Sequence, residues 1–427
     1  MTMQQTLEKI GKQVFYKRLQ QKMTQEELCQ GICSVSYLSK IENGKIEASE
    51  EILQLLCARL EIAVTDLRDV EEDVKGKLDE WLNALIRLEK VQVERIYNEL
   101  QEDMQHVLDF EIINYYKLLN IRYLLMKRDL PVIAEELEQL KKAYKKFSPF
   151  QKLLYTYSRG LLCCLQYKWK QGLSYLLETE VMAKELGYHE TGIYYNIALT
   201  YSHLEIQHLT LHFANIALEA FRNEYKFRNV INCQILIALS YAEQGQYEEA
   251  LEMYESILRE SEAFADKDVL KAITLSNIGN IYYKKKKYNQ AKDYYLESLQ
   301  LQKQIDLNYI DTLYEMALAC IKLDQFEEAR EWIDKGIVAA KREERFNTKL
   351  YLLLMLRNKY FEEAREYKQF LELEAIPFYK SAGNKIELKK VYIELAEYFS
   401  KSLNFEQSNH YYKLVIEMLE SHKEDEK

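Results

Sequence analysis

Lys40 is the one strong base-edge donor on a short helical segment, SVSYLSKIENGK, that opens at Ser34. A lysine in that place suits the acceptor edge of guanine in a DNA major groove. No Arg, Asn or Gln precedes Asn43 on the same face. Reading of a duplex would therefore lean on apolar contacts and on DNA shape. Much further along, Asn196 and Asn277 each stand two residues before a small residue, Ala198 and Gly279. An asparagine side chain both donates and accepts, so it can hold a peptide backbone amide whatever side chain that amide carries. Asn232 and Asn280 are neighbouring candidates, and Arg122 in NIRYLL is a cation suited to a peptide carboxylate or acidic side chain. The motifs of covalent chemistry are missing: no G-x-G-x-x-G, P-loop, G-x-S-x-G or H-E-x-x-H occurs. No enzyme is expected. His208 and His212 have a spacing that binds metal on a helix, with His203 nearby, but no Cys or carboxylate completes a site. Neither a metal nor another cofactor is expected.

These residues must be positioned by helices. The 427 residues include only 3 Pro and 12 Gly, too few for the turns of a sheet-rich protein, and 48% are apolar. An all-α fold follows. Tyr is abundant, with 34 residues, and suits half-buried helix packing. No run approaches the roughly 18 apolar residues of a membrane span. The start, MTMQQTLEKI, lacks the basic and apolar regions of a signal peptide, so a cytoplasmic location is expected. Seven scattered cysteines without a C-x-x-C fit buried thiols in a reducing compartment. Net charge is −10, yet residues 1–45 hold seven Lys/Arg and four Glu, or +3, leaving −13 for the rest. A basic head on an acidic body fits one DNA-facing module.

In the head, residues 6–22 read as an amphipathic helix with Leu7, Ile10, Val14 and Leu19 inward and Lys9, Lys12, Lys17 and Arg18 on the surface. Thr24 and Glu27 make a capping box for a short second helix that buries Leu28. Ser34 caps the next, which buries Leu38 and Ile41 and stops at Asn43-Gly44. A fourth opens near Ser49 and buries Ile52, Leu55, Leu56 and Leu60. Two short helices joined by a tight turn match the helix-turn-helix geometry, whose second helix enters the major groove. The string TQEELCQGICSVSYLSKIENGK resembles the phage-repressor-like (Cro/C1-type) helix-turn-helix family over roughly residues 7–67. That resemblance implies base contacts from Val35, Ser36, Ser39 and Lys40 behind the Ser34 cap. It also implies a phosphate contact from Gln25, backbone contacts from Asn43 and Lys45, and a thymine or sugar contact from Tyr37.

The head is expected to span residues 1–68. The acidic run Asp69–Asp73 and the pattern break at Gly76 suggest a short linker over 69–76, and helix-period sequence then runs from 77 to 420 before a charged tail at 421–427. The body repeats. Ala238, Tyr247 and Ala250 recur as Gly279, Tyr288 and Ala291, then as Ala317, Phe326 and Ala329, with Phe361 and Ala364 in a further unit. A small residue lets two helices approach, and an aromatic three residues before the second small residue is expected to fill the gap. Equivalent positions fall at Gly172, Thr210, Ala250, Ala291, Ala329, Ala364 and Ser408. With weaker units at 78–108 and 110–145, eight or nine repeats are expected. This pattern resembles tetratricopeptide repeats, which implies a right-handed superhelical array with a concave binding face. Lys284–Lys287 falls at a turn between repeat helices, where a solvated loop explains it.

Head and body together resemble the peptide-pheromone-responsive regulators of Gram-positive bacteria (Rap, Rgg, Npr, Plc and Prg types), closest to the Npr or Plc type. The resemblance covers essentially the whole chain. It implies quorum sensing: a short signalling peptide in the concave face controls the binding of double-stranded DNA. It also implies a homodimer that reads an inverted repeat, and for some Npr-type members a phosphorelay protein as a further partner. The main rival is an adaptor whose repeats bind a folded partner such as a response regulator, with DNA binding secondary.

Overall fold

The computed structural model describes residues 14–424 except 16, 19, 20, 22, 44, 47, 62, 63, 105, 106, 108, 303–305 and 343–346. Leu7, Lys9, Ile10, Lys12 and Leu19 of the expected first helix lie outside the described residues, as do Gly44 and the end of the charged tail. Among the described residues there are helices and no strand. The chain forms two compact units, residues 1–162 with 174–190 and residues 163–173 with 191–427.

The first unit opens with three short helices, Gln25–Cys29, Val35–Glu42 and Glu50–Arg59. Each is started by a side chain that satisfies an otherwise orphaned N–H: Thr24 in a full capping box, Ser34, and Ser49. Val14, Leu28, Leu38, Ile41, Leu53, Leu56 and Leu60 form their shared core. Two expectations are corrected. Leu55 is 52% exposed, because the inward face of its helix is set by Leu53, Leu56, Cys57 and Leu60, which leaves Leu55 on the opposite side. Arg18, expected on the surface, is buried against Glu42.

The acidic stretch 69–76 lies inside one helix, Val64–Arg87, and Gly76 does not interrupt it. A helical glycine costs only about 1 kcal/mol, and Val74, Leu78 and Trp81 at 0% exposure offset it. This helix pairs with Lys90–Asp103, and Phe110–Lys127 pairs with Leu130–Lys141.

In the second unit the pattern continues as Gly192–His203 with Gln207–Asn223, Phe227–Glu243 with Tyr247–Ser261, Lys267–Lys284 with Tyr288–Leu301, and Leu307–Lys322 with Phe326–Ala340. Asn347–Phe361 is followed by a helix from Ala364 that passes through a π turn at Leu371–Ala375, and Lys385–Lys401 pairs with Phe405–Glu424. Ala198, Ala238, Ala317, Thr210, Ala250, Ala291 and Ala329 are all 0% exposed, as the repeat pattern requires. The aromatic that fills each gap is a correction. Tyr254 and Tyr295, four residues after the small residue, are fully buried, whereas Phe326 is 41% exposed. Ala364 is also exposed, because it begins its helix; Tyr367 and Phe370 pack inward instead.

Gly279 shows how tight the approach is. A Cβ there would stand 2.5 Å from Tyr295 Cε1 and 2.7 Å from Cδ1. Tyr295 cannot swing away freely, since its hydroxyl donates to Asn280 at 2.6 Å. Gly279→Ala should therefore destabilise the chain by about 1–3 kcal/mol. Gly76→Ala, with nothing within 4 Å, should stabilise by about 0.5–1 kcal/mol. Urea unfolding of the two variants side by side checks the contrast in sign.

Candidate functional sites

In the head, the helix Val35–Glu42 buries Leu38, Ile41 and Glu42 and turns its other face outward. Ser34, Val35, Ser36 and Lys40 are exposed, with Tyr37 and Ser39 half-buried beside them. The start of the helix is stiffened by the Ser34 hydroxyl, which accepts from the Tyr37 N–H at 3.2 Å. Its end is closed by the Lys45 N–H on the Lys40 carbonyl at 2.8 Å, and by the Asn43 amide on the Ser39 carbonyl at 2.7 Å. Asn43 is thus a helix cap in this state, and Lys45 follows it exposed. Gln25 is not free either: its amide donates to Glu42 Oε2 at 2.6 Å. The Arg18 guanidinium meets the same carboxylate at 2.7 and 3.1 Å and also donates to the Met23 carbonyl at 2.8 Å. This buried cluster fixes the recognition helix against the preceding one. Sequence reasoning missed it, although a charged residue at a core-facing position was the available signal.

In the first unit, Arg122 is not a free cation. Its guanidinium donates to Glu190 at 2.8 and 2.5 Å and lies 5.2 Å from the Tyr157 ring, and the two charged side chains are only 10% and 3% exposed. Burial works against the Arg122 charge, but Glu190 outweighs it and keeps the guanidinium charged. The role expected of Arg122 toward a peptide carboxylate would require it to leave Glu190, the carboxylate it already meets.

In the second unit, the predicted asparagines are half-buried on first helices of their repeats. The Asn196 amide donates to the Gly192 carbonyl at 2.9 Å, and Asn232 accepts from Arg228. Asn277 has no hydrogen-bond partner among the described residues, so both its functions are available. Beyond these, the structure brings together a group that sequence reasoning did not single out. Asn280, Tyr283, Lys284, Tyr314, Glu315 and Leu318 line a cleft of about 250 Å³. One turn away, Asp311 pairs with Lys349 at 2.6 Å. Asp311 and Glu315 lie four apart on one helix, a like-charge spacing that costs stability unless something compensates it.

Burial, then the nearby Asp311, pushes the Glu315 carboxyl up to about 8. An unfolded glutamate titrates near 4.5. Between those values the folded chain holds more protons than the unfolded chain, so this group's contribution to stability is lost as pH rises towards 8. Glu315→Gln should melt with the parent below pH 4.5 and above it in temperature at pH 8; equal melting at pH 8 would contradict the burial.

His203 is exposed and stacks on Trp169, ring centroids 3.9 Å apart. Among the described residues no group of three His, Cys, Asp or Glu is placed to hold a metal ion. Lys284 and Lys285 of the lysine run pair with Glu243 and Glu248 at 2.7 and 2.6 Å, as a solvated turn would. No helix among the described residues is long and apolar enough to cross a membrane.

The helix-turn-helix family matches residues 15–67, and tetratricopeptide repeat families match residues 230–263 and 270–342. Head and repeats define a helix-turn-helix transcriptional regulator with a tetratricopeptide sensor body. The transcriptional activator NprA of Geobacillus stearothermophilus is 25% identical over 404 residues, 92% of this chain and 99% of its own length. The apo form of the quorum sensor NprR from B. thuringiensis is 76% identical, with a TM-score of 0.67 over 82% of this chain and 99% of that one. NprR in complex with its cognate peptide NprX is 73% identical, with a TM-score of 0.72 over the same shares. The chain belongs to the NprR family of quorum sensors.

Proposed function

We propose that the chain is a cytoplasmic, sequence-specific DNA-binding regulator whose repeats bind a short signalling peptide and so control DNA binding. One observation carries this reading: an outward recognition face is joined to a repeat body whose relative, 73% identical, has been solved with a cognate peptide. Val35, Ser36, Tyr37, Ser39 and Lys40 meet base edges and sugar. Ser34, Gln25, Asn43 and Lys45 hold the phosphate backbone, for which Gln25 exchanges its Glu42 partner. Asn196, Asn232 and Asn277 hold peptide amides in the groove. The chain acts by binding and not by catalysis. A homodimer places two recognition helices about one DNA turn, or a multiple, apart on an inverted repeat. The peptide is a switch only because it binds the DNA-competent and DNA-incompetent forms with different affinity.

Selection of random duplexes by the full-length chain tests this. An inverted repeat should be enriched. The control Ser36→Ala/Lys40→Ala should lose about 1–3 kcal/mol of discrimination, roughly tenfold to hundredfold in affinity. A folded chain that enriches no sequence, alone and with extract of dense cultures, would overturn the DNA-binding reading.

A further inference from the structure

The described residues of the second unit leave an unusual number of buried polar atoms unmet in one place. Glu315 Oε2, Glu387 Oε2 and the Tyr379 hydroxyl are covered and have no hydrogen-bond partner there. Asp311 Oδ1 is covered as well, although 32% of its side chain reaches solvent, and only Lys349 meets it. Buried polar atoms are nearly always satisfied, so such a cluster calls for a missing partner. The charges say which kind. Asp311, Glu315, Glu387 and Glu243 face three ammonium groups, Lys349, Lys284 and Lys390, and these are committed to Asp311, Glu243 and Glu387, which leaves Glu315 without one among the described residues. Asn280 offers its amide to Glu315, which still leaves Oε2 open.

We propose that the cleft at Glu315 is a cation subsite of the peptide groove, taking an ammonium or guanidinium group of the ligand. This rests on the reading that the repeats bind a peptide. The walls fit the class of ligand. Tyr283 and Tyr314 line the cleft beside Glu315, and phenol rings attract a cation through their faces. About 250 Å³ admits one side chain or chain terminus, below the roughly 300–1,000 Å³ of pockets for drug-sized molecules. A divalent metal is a poor fit, since no three carboxylates converge on one point among the described residues. An incoming cation restores the Glu315 charge and frees the proton that burial makes it keep. Binding and specificity therefore come from the same atom, because a neutral ligand leaves Oε2 unsatisfied.

The source of the cation is either a Lys or Arg side chain or the free amino terminus. The probe is a randomised library of short linear peptides, one half amino-free and one half N-acetylated. The full-length chain and its Glu315→Gln variant are equilibrated with each half, and retained peptides are sequenced. The parent should enrich Lys and Arg at one position in both halves, or retain the amino-free half alone. Glu315→Gln should weaken that preference by at least about tenfold while still retaining peptides. Retention of peptides by both proteins with no cationic preference would overturn the subsite and leave the groove standing. Retention by neither would overturn the groove reading, and the subsite with it.

Discussion

Arg122→Met should lower the stability of the unit that contains it by about 3–5 kcal/mol. The guanidinium joins the helix Phe110–Lys127 to Glu190, 68 residues later, through two parallel hydrogen bonds. Tyr188 donates to the same carboxylate at 2.8 Å. With side chains 10% and 3% exposed, neither charge can fall back on water. Removing one partner strands the other, and that desolvated charge dominates the cost. Replacing both, as in Arg122→Met/Glu190→Leu, should recover most of the loss, because two apolar groups need no partner. Urea unfolding of the full chain, read by far-ultraviolet circular dichroism, should show an earlier transition in the single variant and not in the double. Peptide retention supplies the second readout. Arg122→Met that unfolds like the parent yet loses peptide would mean that the guanidinium leaves Glu190 to serve the ligand.

The elements set by local physics were legible in the sequence. A capping box needs only Thr24 and Glu27, and the recognition helix needs only Ser34 and an apolar pair three apart, so those elements were legible in a dozen residues. Repeat register was legible for the same reason at Ala250, Ala291 and Ala329. It failed at Ala364, where a helix start replaces a mid-helix contact. Turns were harder. Arg128, Tyr167, Glu205, Lys286, Asp324 and Leu403 adopt positive φ at turns between repeat helices, where glycine takes that conformation at Gly187, Gly245 and Gly383 among the described residues. The usual glycine signal was therefore absent at those six, since the packing of the paired helices carries the small cost of a side chain there. The acidic cleft was least legible. Asp311 and Glu315 could be seen to share a helix face, but Lys349 and Glu387 arrive from later repeats, and only stacking brings them together. Arg18 failed in the opposite sense: its type argued for the surface, and its partner 24 residues away decided otherwise.

Glu42→Ala should cost the head about 3–5 kcal/mol, much of what a domain of that size can hold. Glu42 is 1% exposed in its side chain and Arg18 is 7% exposed. The substitution strands the Arg18 charge and removes the acceptor of the Gln25 amide in the same step. Both partners of the helix-turn-helix lose their mutual fixing, since Gln25 belongs to one helix and Glu42 to the other. In the full-length chain, hydrogen exchange across Gln25–Glu42 should rise to near that of an unfolded segment, while the repeat helices keep their protection. DNA binding should vanish with the head, and peptide retention should persist. Arg18→Met/Glu42→Met should restore much of the protection by removing both charges, though Gln25 stays without its partner. Affinity for DNA then separates two roles of the cluster. Recovery of protection without recovery of DNA binding would mean that Glu42 positions Gln25 for a phosphate as well as holding the fold, whereas recovery of both would confine the pair to stability.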